Sequence, residues 1–178
     1  MTLYVARHAE TNYNVLDLCN SDPAVDVHLT SLGMQQAAQL SDRLAAVTLD
    51  VIYISDLPRT RETASYLRQY DEVPVIVDGR LNDNISGFES KPVHEYLEAF
   101  TSSSDVWNVS FNDGETLQQS KQRVDNFMTD LRTKPYAAVC VVTHGFVIAC
   151  IAELLTGVTI DLAHTFTVPQ GEYQIFEI

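Results

Sequence analysis

Ala137-Ala138-Val139-Cys140-Val141-Val142-Thr143-His144-Gly145 is the stretch whose reading decides the fold. Its first six residues are apolar without a break, the pattern of a strand whose sheet is covered by helices on both faces. The run stops at a histidine. Leu3 to Ala6 does the same and stops at Arg7-His8, while Val51-Ile52-Tyr53-Ile54 stops at Ser55-Asp56. A further run, Val73-Pro74-Val75-Ile76-Val77, carries a proline that suits an edge strand. Helical patterns lie between these runs. Thr30 to Val47 places Ala37, Leu40, Leu44 and Val47 three and four residues apart, with Thr30 as its cap. Pro58 opens a helix reaching about Tyr70, and Phe146 to Leu155 forms another. Glu115 to Thr133 carries an apolar stripe of Leu117, Val124, Phe127, Met128 and Leu131, with Asp113 as its expected cap. Strands alternating with helices predict an α/β fold, a three-layer α/β/α sandwich with a mostly parallel central sheet. The tail from Phe166 to Ile178, interrupted at Pro169 to Gly171, reads as two short strands able to pair at a sheet edge, within the chain or in a homodimer. Residues 83 to 113 lose the pattern apart from a short helix near Val93 to Phe100, and read as an excursion off the sheet that covers the ends of the strands. Residues 1–178 are read as a single domain with that excursion.

Composition narrows the function. The chain holds 24 acidic against 11 basic residues, a formal charge of −13, and such a surface repels nucleic acid and anionic membranes. No stretch approaches the roughly 18 apolar residues of a membrane helix, and the first residues lack the basic-then-apolar order of a signal peptide, so a cytoplasmic location is expected. Cys19, Cys140 and Cys150 are an odd number without a C-x-x-C pair, and are read as thiols.

In α/β folds, ligands sit beyond the carboxyl ends of the strands. Arg7-His8, Ser55 to Arg59 and Thr143-His144-Gly145 all follow strands, so three loops converge on one site. Only 3 of the 11 basic residues are lysines, and the arginine fork matches phosphate oxygens bidentately where a lysine point charge does not. Imidazole is a competent nucleophile toward phosphorus, and paired guanidinium groups stabilise charge on a transferring phosphoryl group. Arg59 in the first turn of a helix opposes the helix dipole, a local conflict that suits a binding site. His144 stands before a helix start, where free N–H groups favour anions. The bland readings are a solvent-facing Arg-His pair, a satisfied core histidine at 144, and turn caps at Thr11 and Asn14. Arg43, Arg61, Arg68, Arg123 and Arg132 read as solvated face residues. Trp107 and Phe88 either contact substrate or pack the excursion.

The same residues resemble a known family. LYVARHAETNYN at Leu3 to Asn14 resembles the opening of the histidine phosphatase, or phosphoglycerate mutase-like, superfamily, whose first strand ends in Arg-His-Gly-Glu-Thr. His28 to Ala37, Ser55 to Ala64, Gly114-Glu115-Thr116 and Val142 to Gly145 resemble its further blocks in order. The resemblance implies that His8 accepts the phosphoryl group, that Arg7, Arg59 and His144 bind its oxygens, and that Thr11, Asn14 and Gly145 line the pocket. It implies Asp83 as proton donor, where the family usually has Glu, with Glu89 as the alternative. Two other departures are Ala9 in place of the family's glycine and the shortened Gly87-Phe88-Glu89-Ser90 segment.

The resulting expectation is a metal-independent, cofactor-free phosphatase of a small phosphorylated metabolite. Neutral His8 attacks phosphorus while Asp83 protonates the leaving alcohol, and water then hydrolyses the phosphohistidine. One alternative is a phosphoglycerate mutase, although residues 83 to 113 hold one basic residue, Lys91, where that branch carries many. The other is a phosphate- or phosphopeptide-binding module that has lost turnover.

Overall fold

A computed structural model describes residues 1–160 and 168–178. In chain order the elements are β1 (Thr2–Arg7), α1 (Asn12–Val15), α2 (Ser31–Leu44), β2 (Val51–Ile54), α3 (Pro58–Ala64), β3 (Val75–Val77) and a 3-10 turn at Gly79–Leu81. They continue with α4 (Val93–Thr101), α5 (Leu117–Leu131), β4 (Ala138–Thr143), α6 (Gly145–Thr156) and β5 (Tyr173–Glu177). The sheet order is β3-β2-β4-β1-β5. Every pairing is parallel except β1 with β5. This is the mostly parallel α/β/α sandwich expected, with β4 at its centre and the proline-preceded β3 at an edge.

Alternation along β4 divides the core. Val139 and Val141 face one layer with Val124, Phe127 and Met128 of α5 and Val147, Ile148 and Ile151 of α6. Cys140 and Val142 face the other with Leu40 and Leu44 of α2 and Ala64 of α3. A strand buried on both faces has no solvated side to mark with polar residues, which is why this run is apolar throughout. Phe127 is fully buried and meets the Tyr53 ring edge-on at 5.3 Å. Truncating it to alanine would cost about 3–5 kcal/mol.

Several boundaries depart from expectation, each for a local reason. The helix opened by Pro58 ends at Ala64, short of Tyr70. There the Thr63 hydroxyl donates to the Arg59 carbonyl (2.7 Å) and the Ser65 hydroxyl to the Glu62 carbonyl (2.7 Å), competing with the helical ladder. Helix α5 is capped by Thr116, not Asp113: the Thr116 hydroxyl accepts from Gln119 N (3.0 Å), and the Gln119 amide oxygen accepts from Thr116 N (2.8 Å). Asp113 instead occupies a turn at φ 64°. Among the described residues the tail gives one of the two expected strands, β5, and the expected interruption before it is a turn at Pro169 to Gly171 (φ 73° at Gly171) closed by Glu172 N on the Pro169 carbonyl (3.0 Å). Phe166 lies outside the described residues. Cys140 and Cys150 are buried free thiols, and Cys19 is a half-buried one.

Candidate active site

Strand register sets the chemistry at one edge of the sheet. Arg7 pairs with Thr143 and Ile54 with Val142, so Arg7-His8, Ser55 and His144 leave three neighbouring strands at one level. The amide of His8 donates to the Thr143 carbonyl (2.9 Å). The two histidine rings lie 5.2 Å apart, centroid to centroid.

His8 is 3% exposed, and its Nδ1 is 2.8 Å from the Ala9 carbonyl. A carbonyl only accepts, so Nδ1 carries the proton and Nε2 presents its lone pair. Arg59 Nε donates to that lone pair at 3.2 Å. Burial, followed by the charges of Arg59 and Arg7, holds the imidazole well below its ordinary pKa, with the Ala9 carbonyl pulling the other way. At neutral pH this ring is uncharged.

The loop after β1 is braced from two sides. Ala9 N donates to the Thr63 hydroxyl (3.0 Å), Glu10 N to the Gln36 side chain (2.8 Å), and the Thr30 hydroxyl to the Glu10 carboxylate (2.6 Å). Gly33 makes this possible, since a Cβ there would sit 2.0 Å from the Glu10 carbonyl oxygen. Ala9 is fully buried beside Leu29 and Ala37, and it is not among the residues with positive φ, so this backbone accepts a Cβ where the family carries glycine.

Arg59 is buried in the first turn of α3. Its terminal nitrogens donate to the side-chain and backbone carbonyls of Asn20, and one approaches Asp83 Oδ2 at 3.5 Å. Glu89 holds Asn20 in place, accepting from its amide (2.9 Å), from Ser21 N (2.7 Å) and from Asp22 N (3.1 Å). Both Glu89 oxygens are therefore engaged by this loop, whereas Asp83 opens onto the site.

His144 is fully buried. Its Nε2 is 2.9 Å from the Ser55 hydroxyl, and its Nδ1, without a hydrogen-bond partner among the described residues, is 3.7 Å from Asp83 Oδ2. Burial first, then the charge of Arg59, depresses its pKa well below the ordinary range. Arg7 donates from Nη1 to the Val168 carbonyl (3.2 Å), and its Nε is a buried donor without an acceptor among the described residues. An unpaired buried donor of a cation costs free energy unless an anionic ligand completes it.

A cavity of about 120 Å³ gathers these groups. Arg7, His8, Thr11, Asn14, Arg59, Asp83 and Gly145 line it together with Asn20 and Cys19. His144, expected to bind the phosphoryl oxygens, does not line it, its ring packing against that of His8, and neither does Glu89, the alternative acid.

The Asp83 carboxylate is one-third exposed at the cavity's rim. Arg123 fixes the backbone that carries it, donating to the carbonyls of Arg80 (2.8 Å) and Asp83 (2.9 Å) while paired with Glu115 (2.6 Å). Arg123 is thus no solvated face residue: Glu115 reaches it from a segment packed so closely that a Cβ at Gly114 would sit 2.4 Å from the Ile85 carbonyl oxygen. Sequence reasoning missed Arg123 and Asn20. The available signal for Arg123 was its place two turns after Glu115, on the side of α5 that carries Ser120 and Val124. Neither Trp107 nor Phe88 reaches the cavity: Trp107 lies against the Lys121 ammonium (5.6 Å), and Phe88 packs on Tyr96 and Phe111. His28 and His94 are exposed.

Comparison with known proteins agrees with this geometry. The family described as the histidine phosphatase superfamily (branch 1) matches residues 3–178. A Hydrogenobacter thermophilus protein with a provisional phosphoserine phosphatase name is 28% identical over 165 residues, covering 89% of this chain and 80% of its own. An Escherichia coli protein with a provisional phosphoglycerate mutase name is 27% identical over 167 residues, covering 88% and 75%. The alpha-ribazole phosphatase from Shigella flexneri superposes with a TM-score of 0.79 at 25% identity, over 100% of this chain and 91% of the other.

Proposed function

This chain belongs to the histidine phosphatase superfamily, and we propose that it is a phosphatase of a small phosphorylated metabolite that works through a phosphohistidine on His8. The observation that carries the reading is the geometry of that ring: its proton is held on Nδ1 by the Ala9 carbonyl, and its Nε2 accepts from Arg59 Nε at the wall of the cavity, a bond that gives way to phosphorus in the reaction. A nucleophile toward phosphorus needs an available lone pair and cations around the oxygens that gain charge.

In the proposed first step, Nε2 attacks phosphorus in line and the ester P–O bond breaks. Asp83 in its acid form delivers its proton to the departing alcohol oxygen. Arg7 and Arg59 hold the non-bridging oxygens. Where the Ser55 hydroxyl donates to His144 Nε2, Nδ1 of that ring carries a proton and stands 3.7 Å from Asp83 Oδ2, behind the groups that line the cavity. In the second step water attacks the phosphohistidine, Asp83 takes the water's proton, and His8 leaves as the neutral ring. The guanidinium groups supply the positive charge, so the scheme uses no metal.

Hydrolysis is favoured over mutase chemistry because Lys91, the one basic residue of the 83 to 113 excursion, does not line the site. Returning the group to a sugar acid requires cations for a second anion. The test is phosphate release from alkyl phosphates with and without EDTA. The reading expects chelator-independent release, and phosphoryl transfer to an acceptor alcohol without free phosphate, or no turnover at all, contradicts it.

A further inference from the structure

Beyond Asp83 a second cavity of about 240 Å³ adjoins the first, sharing Cys19, Asn20 and Asp83 with it. Its far wall is Tyr96, Leu97 and Phe100 of α4 with Leu117 and Phe146. We propose that this cavity receives the alcohol part of the substrate, and that the alcohol is uncharged and apolar, a single ring or an alkyl chain of about six to ten heavy atoms. The proposal rests on the phosphatase reading of the neighbouring cavity and names the substrate class for it.

Placement is the first argument. The proton donor must stand at the bridging oxygen, and Asp83 is the carboxylate that both cavities share. With phosphorus beside His8, the ester oxygen falls at that junction and the carbon skeleton continues into the second space.

Chemistry of the wall is the second. Among the described residues lining it there is no Lys, Arg or His, and its ionisable carboxylate is Asp83 itself. A second phosphate or carboxylate on the substrate would be desolvated there without a cationic partner. Each of the polar side chains Asn84, Ser86 and Tyr96 already bonds within the protein. The Asn84 amide donates to the Ser120 hydroxyl (2.9 Å) and accepts from Tyr96 OH (3.3 Å), and the Ser86 hydroxyl accepts from Phe88 N (3.1 Å). Burial pushes the Tyr96 phenol up to about 12, so it stays neutral. Size is the third: a dry cavity of roughly 150 Å³ accommodates benzene, and this one is larger.

The experiment compares 2-phenylethyl phosphate with ethyl phosphate, alcohols of similar acidity, and with 3-phosphoglycerate. Binding of 2-phenylethylphosphonate and ethylphosphonate is measured in parallel by calorimetry. The expected result is a kcat/KM about 30-fold higher for the phenylethyl ester than for the ethyl ester, the size expected from burying one ring, with 3-phosphoglycerate slowest. Leu97→Arg, at a position 49% exposed on a helix with no buried residue, should lower the ratio of phenylethyl phosphate to 3-phosphoglycerate turnover by about tenfold. Equal rates for the two alkyl esters, or a preference for 3-phosphoglycerate, would overturn the substrate class and leave the phosphatase reading standing. If no ester is hydrolysed, the phosphatase reading fails, and the phosphonates decide the cavity alone: tighter phenylethylphosphonate keeps the assignment, equal affinities remove it.

Discussion

The floor of the site and its roof are built differently. On the floor, at the ends of β1, β2 and β4, nearly every functional side chain is buried and held by partners distant in sequence: His8 by Arg59, His144 by Ser55, Arg59 by Asn20. The roof, residues 83 to 113, centres on a helix with no buried residue and on contacts among Phe88, Tyr96, Phe100 and Phe111. Directional bonds fix geometry to a fraction of an ångström, while aromatic packing tolerates exchange of one side chain for another. A floor so built suits one reaction, and a roof so built suits a changeable leaving group.

This contrast orders the expected effects of substitution. His8→Ala removes the nucleophile and should lower kcat by about 10⁴-fold or more, read as phosphate release; a small effect would break the distinction at once. Asp83→Asn should cost about 10²-fold on an alkyl phosphate and far less on p-nitrophenyl phosphate, whose leaving group needs no proton. Equal losses on both esters would assign Asp83 to binding instead. Arg123→Met, at a position outside the cavity, should cost about tenfold in kcat with little change in KM, because it loosens the backbone carrying Asp83. A loss confined to KM would show that Arg123 acts on the roof.

The smallest effect concerns acid. His8 and His144 are kept neutral by burial and by the arginines, with folded pKa values well below the ordinary value near 6.5. Below that value the unfolded chain binds protons that the folded chain does not, so stability is fully present above about pH 6.5 and declines as pH falls. Chemical denaturation at pH 7.5 and 5.5 should show the loss, and His144→Asn should flatten it. A pH-independent midpoint would contradict the neutral pair.

Much of the floor was legible from sequence because strand ends in a parallel sheet have only one place to go. Once Ala137 to Val142 and Leu3 to Ala6 are read as strands, Arg7, His8 and His144 must meet. Long-range anchors were not legible. Arg123 looks like any charged residue on an amphipathic helix until Glu115 is brought beside it, and Asn20 lies in a stretch without period. Helix ends failed where side chains compete with the backbone, as Thr63 and Ser65 do after Arg59. Of the roof, the short helix near Val93 to Phe100 was legible and is α4 (Val93–Thr101); how it is held was not, because that order comes from aromatic contacts among residues 88 to 111, which no local periodicity records.

One measurement reaches the central claim directly: rapid alkaline quench during turnover of a phosphate ester, followed by mass spectrometry of the peptide holding residue 8. The account predicts an acid-labile, base-stable phosphoryl group on His8 that forms and decays with turnover. Steady hydrolysis with no phosphate on that peptide, or with the group on another side chain, would contradict it.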